Sequence, residues 1–260
     1  MIPSFDDVIR WAPDGDGWVG AVPEAWMQGR GAFGGVVCGV AVRALEARVD
    51  RPLRSIDGAF LGPLRPGVPG RVEARVLRAG RSITFAEATV SQQDRVVARF
   101  SAALGDARPS GVVVPGPTLE HPPDALGVPF EQHPGVPQFI TQLQMRLVDG
   151  RFPFTGQTEP GVSGWCRFRE AATGTAGVLA LADAWPPPVL SMLTRPAPAS
   201  TVRWSSHIVG PVSDAHAGDW FYRSRCVHAA DGYTVMVAEL FDPEDRLVVW
   251  SEQLAAVFDG

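Results

Sequence analysis

The sequence contains no lysine and no asparagine, so all 23 of its basic residues are arginine. Without lysine there is no phosphate-binding loop of the nucleotide hydrolase type, no Schiff base and no Ser-x-x-Lys nucleophile. Without asparagine there is no N-glycosylation acceptor. Cysteine is scarce too: Cys38, Cys166 and Cys226 are far apart and odd in number, which excludes a disulfide framework and a Cys-x-x-Cys zinc or redox site. No Gly-x-Ser-x-Gly elbow and no His-Glu-x-x-His run occurs, so neither a serine triad nor a zinc protease site has local support, and no metal is expected. The formal charge of -5 lacks the basic excess that phosphate neutralisation needs, so nucleic acid is not an expected partner. The apolar stretches near 33–44 and 177–185 are too short to span a membrane, and residues 1–11 lack a signal-peptide pattern. The expected location is the reducing cytoplasm.

What is present is a core-forming composition, with 45% hydrophobic and 20% charged residues over 260 positions. Prolines crowd the middle of the chain between Arg108 and Gln138, a spacing that predicts an extended linker. On either side the chain repeats itself. Phe60-Leu61-Gly62-Pro63-Leu64 returns as Ile208-Val209-Gly210-Pro211-Val212. Arg75-Val76-Leu77 with Ile83-Thr84-Phe85 is echoed by Arg225-Cys226-Val227 with Tyr233-Thr234-Val235, and Asp94-Arg95-Val96-Val97 by Asp245-Arg246-Leu247-Val248. The matches keep their order at a separation of about 150 residues, which is a domain length rather than a solenoid period. Three segments follow: a first domain over 1–108, a Pro-rich linker over 109–126 and a second domain over 127–260.

Each half reads as one helix and a meander of strands. In the first, short strands are expected near 5–11 and 18–21. A helix over about 32–49 follows, then strands near 54–61, 71–77, 83–91 and 95–104. In the second, strands near 139–149 and 164–169 precede a helix over about 175–185 and four further strands. The connecting turns are too short for parallel crossovers, so the sheets are antiparallel and the class is α+β. This disposes of a dinucleotide reading of Gly29-Arg30-Gly31-Ala32-Phe33-Gly34, which matches Gly-x-Gly-x-x-Gly but lacks the βαβ unit the fingerprint needs.

Gly31-Ala32-Phe33-Gly34-Gly35 opening an apolar helix and the turn Arg78-Ala79-Gly80-Arg81-Ser82 resemble the type II acyl-CoA thioesterases. So do Leu181-Ala182-Asp183, Ser200-Thr201-Val202 and a last strand carrying Gln253. The resemblance covers the chain apart from the linker and implies a double hotdog, two sheets each wrapped around a helix and fused in tandem. It further implies a water held by Asp183, Thr201 and Gln253, which attacks the thioester of an acyl-CoA. The implied assembly is a homo-oligomer, most simply a dimer, with no cofactor. Arg203, two residues after Thr201, stands where the family often has an acidic residue.

The residues carry part of this on their own. Asp183 lies among Leu179, Ala180, Ala184 and Trp185, where a carboxylate loses solvation, and at a helix C-terminus, the unfavourable end for an anion. Two local penalties at one residue mark a candidate acid or base. Thr201 and Gln253 offer neutral groups that orient a water without neutralising that carboxylate. Gly34 and Gly35 place bare amides at a helix start, where a carbonyl oxygen could be stabilised. A hotdog hydratase or dehydratase, which would carry an Asp-x-Asn-x-x-His run, is the weakest of three readings, because the sequence has no asparagine. A non-catalytic acyl-CoA or small-lipid binding module is the alternative, separable by an assay for released thiol.

Overall fold

The computed structural model describes residues 2–119, 126–130 and 136–260. The first half contains α1 (Phe5–Val8), β1 (Ala12–Asp14), β2 (Gly17–Gly20), β3 (Met27–Gln28) and β4 (Gly31–Ala32). Then come α2 (Gly34–Glu46), β5 (Leu53–Phe60), β6 (Gly70–Ala79), β7 (Ile83–Gln92) and β8 (Arg95–Gly105). The second half contains β9 (Val128–Pro129), β10 (Leu143–Gly150), β11 (Gly161–Phe168) and α3 (Gly174–Ala182). It closes with β12 (Ala199–Ile208), β13 (Trp220–Ala230), β14 (Tyr233–Phe241) and β15 (Leu247–Val257). Apart from the small β3–β4 hairpin, the described strands form one sheet in the order β1-β2-β6-β7-β8-β5-β12-β15-β14-β13-β11-β10-β9. Its strand pairs are antiparallel throughout.

The duplication is visible in the irregularities of the sheet. A bulge between Leu53 and Ser55 recurs between Thr201 and Arg203. One between Val76 and Arg78 recurs between Cys226 and His228, and one between Val90 and Ser91 recurs between Leu240 and Phe241. The halves meet where β5 pairs with β12, with Ser205 opposite Asp57. Arg203 opposite Ala59 on one side of that pair is matched by His207 opposite Ser55 on the other, so a pseudo-two-fold axis runs through Ser205 and Asp57.

Alternation explains the strands: along β7, Thr84, Ala86, Ala88 and Val90 are buried while Ile83 and Phe85 face outward. Two-residue turns with positive φ at both positions, Gln93-Asp94 and Asp231-Gly232, close β7–β8 and β13–β14 with the hand that suits strand twist. The apolar helices α2 and α3 lie together against the inner face, and one core spans both halves. The helices approach closely because both are built of small residues there; a methyl group on Gly35 would lie 2.8 Å from the Ala180 Cα.

Several expectations need correction. Residues 5–8 are helical rather than extended, because Ser4 caps the Asp7 amide at 3.2 Å and Asp6 and Asp7 favour a helix start. α2 is shorter at both ends than the expected 32–49, α3 stops at Ala182 ahead of the prolines, and residues 138–142 form a 3-10 turn after Pro137 before β10 begins. The proline-rich stretch is exposed and free of helix and strand through Thr118, and it then meets the sheet. Leu119 is buried with Phe221 and Phe241 on the outer side of the sheet, and Gly116 lies against Leu247. His121 and His133 lie outside the described residues. Among the described residues no helix is long and apolar enough to cross a membrane.

Candidate active site

Asp183 is the C-cap of α3, its amide bonded to the Leu179 carbonyl at 3.2 Å. The negative end of its own helix would repel it, but the carboxylate also faces the positive end of α2. The Gly35 amide donates to it. A methyl group on Gly34 would collide with Asp183 Oδ2, so the glycine is what lets the acid reach the helix start. The residue keeps some exposed surface while its carboxyl group is enclosed by protein. Burial pushes the Asp183 pKa up to about 7, against the opposing pull of the Gly35 amide. The Cys38 thiol, one turn further along α2, and the Tyr222 hydroxyl on β13 are both pushed up by burial and further by the Asp183 charge. Both groups are therefore buried within electrostatic reach of Asp183.

Thr201 and Gln253 form the second component. Gln253, buried on β15 opposite Trp204, donates from Nε2 to Thr201 Oγ1 at 2.6 Å. The bulge after Thr201 interrupts the alternation of β12 at that point. Arg203 stands on the solvent side of the sheet and is exposed, so its charge does not enter the site. The seam between the halves runs past both components. The Phe60 ring at the end of β5 lies 3.6 Å from where a methyl group on Gly34 would stand, and the preceding Ala59 pairs with Arg203. Among the described residues no direct hydrogen bond links Asp183 to Thr201 or Gln253.

The pseudo-symmetry shows that the Thr–Gln pair is carried by one half and not by the equivalent positions of the other. Through the repeated bulge, Thr201 corresponds to Leu53 and Gln253 to Ala102. A hydroxyl and an amide on one side are matched by two hydrocarbon side chains on the other. The structure thus pairs Thr201 with Gln253 and brings Asp183 to Gly34 and Gly35. It departs from expectation in giving the Gly35 amide to the acid instead of leaving it free for a substrate oxygen. Cys38, Tyr222 and Phe60 were not legible as site neighbours, since they come from three elements with no shared motif.

A sheet wrapped around central helices, twice in one chain, defines a double hotdog. The acyl-CoA thioesterase N-terminal domain model matches residues 22–105 and the C-terminal domain model matches residues 118–257. The chain belongs to this acyl-CoA thioesterase family, a family of thioester hydrolases. Solved structures share the fold. A hot dog protein of unknown function from Alicyclobacillus acidocaldarius is 22% identical with a TM-score of 0.88, covering 98% of each chain. A proposed thioesterase II from Thermobifida fusca is 24% identical with a TM-score of 0.84, covering 99% of each. An acyl-CoA thioesterase II from Mycobacterium marinum is 15% identical with a TM-score of 0.76, covering 98% of each. Among curated proteins none matches the chain.

Proposed function

We propose that the protein hydrolyses acyl-CoA thioesters by direct attack of a water held by Asp183, Thr201 and Gln253. The observation that carries this reading is a carboxyl group with its pKa raised to about 7, set at the start of a helix from the other half of the chain. A base titrating near neutrality is populated in its ionised form at working pH and still drives proton removal. Because Gln253 donates to Thr201, its Oε1 is left to accept from the water, and the Thr201 hydroxyl is free to donate.

Asp183 takes one proton as the water oxygen bonds to the thioester carbonyl carbon. The carbonyl oxygen becomes anionic and is stabilised by the Gly34 amide, a first-turn donor that the helix itself does not use. The carbon–sulfur bond then breaks, and Asp183 returns its proton to the departing CoA thiolate. The products are a free acid and CoA. Thiolate leaves readily, so no covalent enzyme intermediate is required.

The test is release of free thiol from an acyl-CoA panel by the purified protein, with Asp183→Ala alongside. Turnover should fall by about 10²–10⁴-fold in the variant, the usual contribution of a general base. Wild-type turnover in Asp183→Ala would remove the assignment. Binding without thiol release by the unmodified protein would instead favour a carrier.

A further inference from the structure

Aromatic rings pack near Asp183 and along the adjoining seam, and at three places a ring occupies the volume that a glycine leaves. Phe33, the residue before α2, covers Gly35, where a methyl group would lie 2.5 Å from its Cζ. Trp185, two residues beyond the acid, fills the place opened by Gly164 on β11, where a methyl group would lie 2.5 Å from its ring edge. Phe100 fills the place opened by Gly58 on β5, at 2.7 Å by the same measure.

Among the described residues, these rings fill three directions in which a long acyl tail could leave the acid. Between the helices, Gly35 meets Ala180, and Phe33 stacks on Phe139 with centroids 4.0 Å apart. Beneath α3, Trp185 stacks on Tyr222 at 5.4 Å and is backed by Phe130 at 5.6 Å, itself against Phe152 at 5.2 Å. Along the seam, Phe60 stands edge-on to Phe100 at 5.7 Å. Phe33, Phe100, Trp185 and Tyr222 are buried, and Phe60 is half-buried. A close-packed interior of this kind admits extra methylenes only by moving neighbours.

We infer that the substrate's acyl group is short, because Phe33, Phe60, Trp185 and Tyr222 occupy the volume beside Asp183 through which a long acyl chain would have to run. This deepens the proposed thioesterase reading and rests on it for the reaction, though not for the size limit. The specificity comes from exclusion: each added methylene meets a ring instead of a tunnel, and one methylene in a fitted pocket is worth roughly 10–200-fold in discrimination.

Two measurements separate the size limit from the chemistry. In the first, S-ethyl-, S-butyl- and S-octyl-CoA thioethers, which cannot be hydrolysed, are titrated into the full-length protein. Affinity should fall at least tenfold from butyl to octyl; equal or tighter octyl binding would overturn the inference even if every thioester were hydrolysed. In the second, kcat/KM is compared for butyryl-CoA and octanoyl-CoA in the wild type, in Phe60→Ala and in Trp185→Leu. The octanoyl-to-butyryl ratio should rise tenfold or more in at least one variant. Phe60→Ala, at a half-buried position, keeps the test available if Trp185→Leu fails to fold. An unchanged ratio in every folded variant would overturn the inference. Length-dependent thioether binding with no thiol release would sustain it while removing the hydrolase reading.

Discussion

At the scale of the residue, Asp183 is held against its own solvation, and this has a sign that can be measured. Its folded pKa of about 7 exceeds the unfolded carboxylate value of about 4. Below pH 4 both states are protonated and the residue costs nothing. Between pH 4 and 7 the folded state holds the extra proton, so stability falls as pH rises, and above pH 7 the full penalty is present. Asp183→Asn should therefore unfold at higher denaturant than the wild type at pH 8, by about 1 kcal/mol or more, with the gap closing toward pH 4. Paired urea titrations at the two pH values check this. The wild-type kcat/KM should rise close to tenfold per pH unit until about pH 7, and the variant should lose that limb. The acid itself was legible, since a carboxylate among Leu179, Ala180 and Trp185 at a helix end is an anomaly in any sequence. Its compensation was not: the Gly35 amide comes from a position about 150 residues away, and no local pattern encodes that meeting.

At the scale of the element, helices and strands were legible where periodicity and turn chemistry agreed, as in β5 to β8 and β12 to β15. They were misread where a cap or a short 3-10 turn decided the outcome, as at residues 5–8 and 138–142. One cap has a measurable role. Asp6 of α1 accepts hydrogen bonds from the Thr173 amide at 3.0 Å and the Thr173 hydroxyl at 2.8 Å, at the start of α3. The first residues of the chain thus hold in place Thr173, the residue that opens the helix leading to Asp183. Asp6→Ala should cost about 1–3 kcal/mol, the usual effect of leaving buried donors without their charged acceptor. Hydrogen exchange should speed up first in the opening turn of α3. The contact between α2 and α3 is stricter. Gly35→Ala would push a methyl group toward both the Phe33 ring and the Ala180 backbone. A loss of about 1–3 kcal/mol is expected, read as a lower melting temperature.

At the scale of the whole molecule, the sheet among the described residues ends in very short strands, β1 with three residues and β9 with two, each containing a proline. Such edges are poor templates for further pairing, so they give no reason for the chain to oligomerise. A dimer, which the sequence resemblance implies, would have to use another surface, and light scattering against the 27.8 kDa chain mass decides whether one forms. The internal seam is different in kind. β5 and β12 are central strands, and residues 1–108 expressed alone would expose both a full strand edge and the face of α2. That fragment should be insoluble alone and recovered in solution when co-expressed with residues 109–260, as read by size exclusion. The pair on the pseudo-two-fold axis shows what covalent fusion permits. In a dimer of identical chains, a residue on the axis meets its own copy, so an aspartate there would face an aspartate. Here Ser205 donates to Asp57 at 2.6 Å, an unlike pair at the point where identity would otherwise be compulsory. Joining two copies in one chain released each position from having to serve twice. The same freedom lets Thr201 and Gln253 stand in one copy while Leu53 and Ala102 fill the equivalent places in the other.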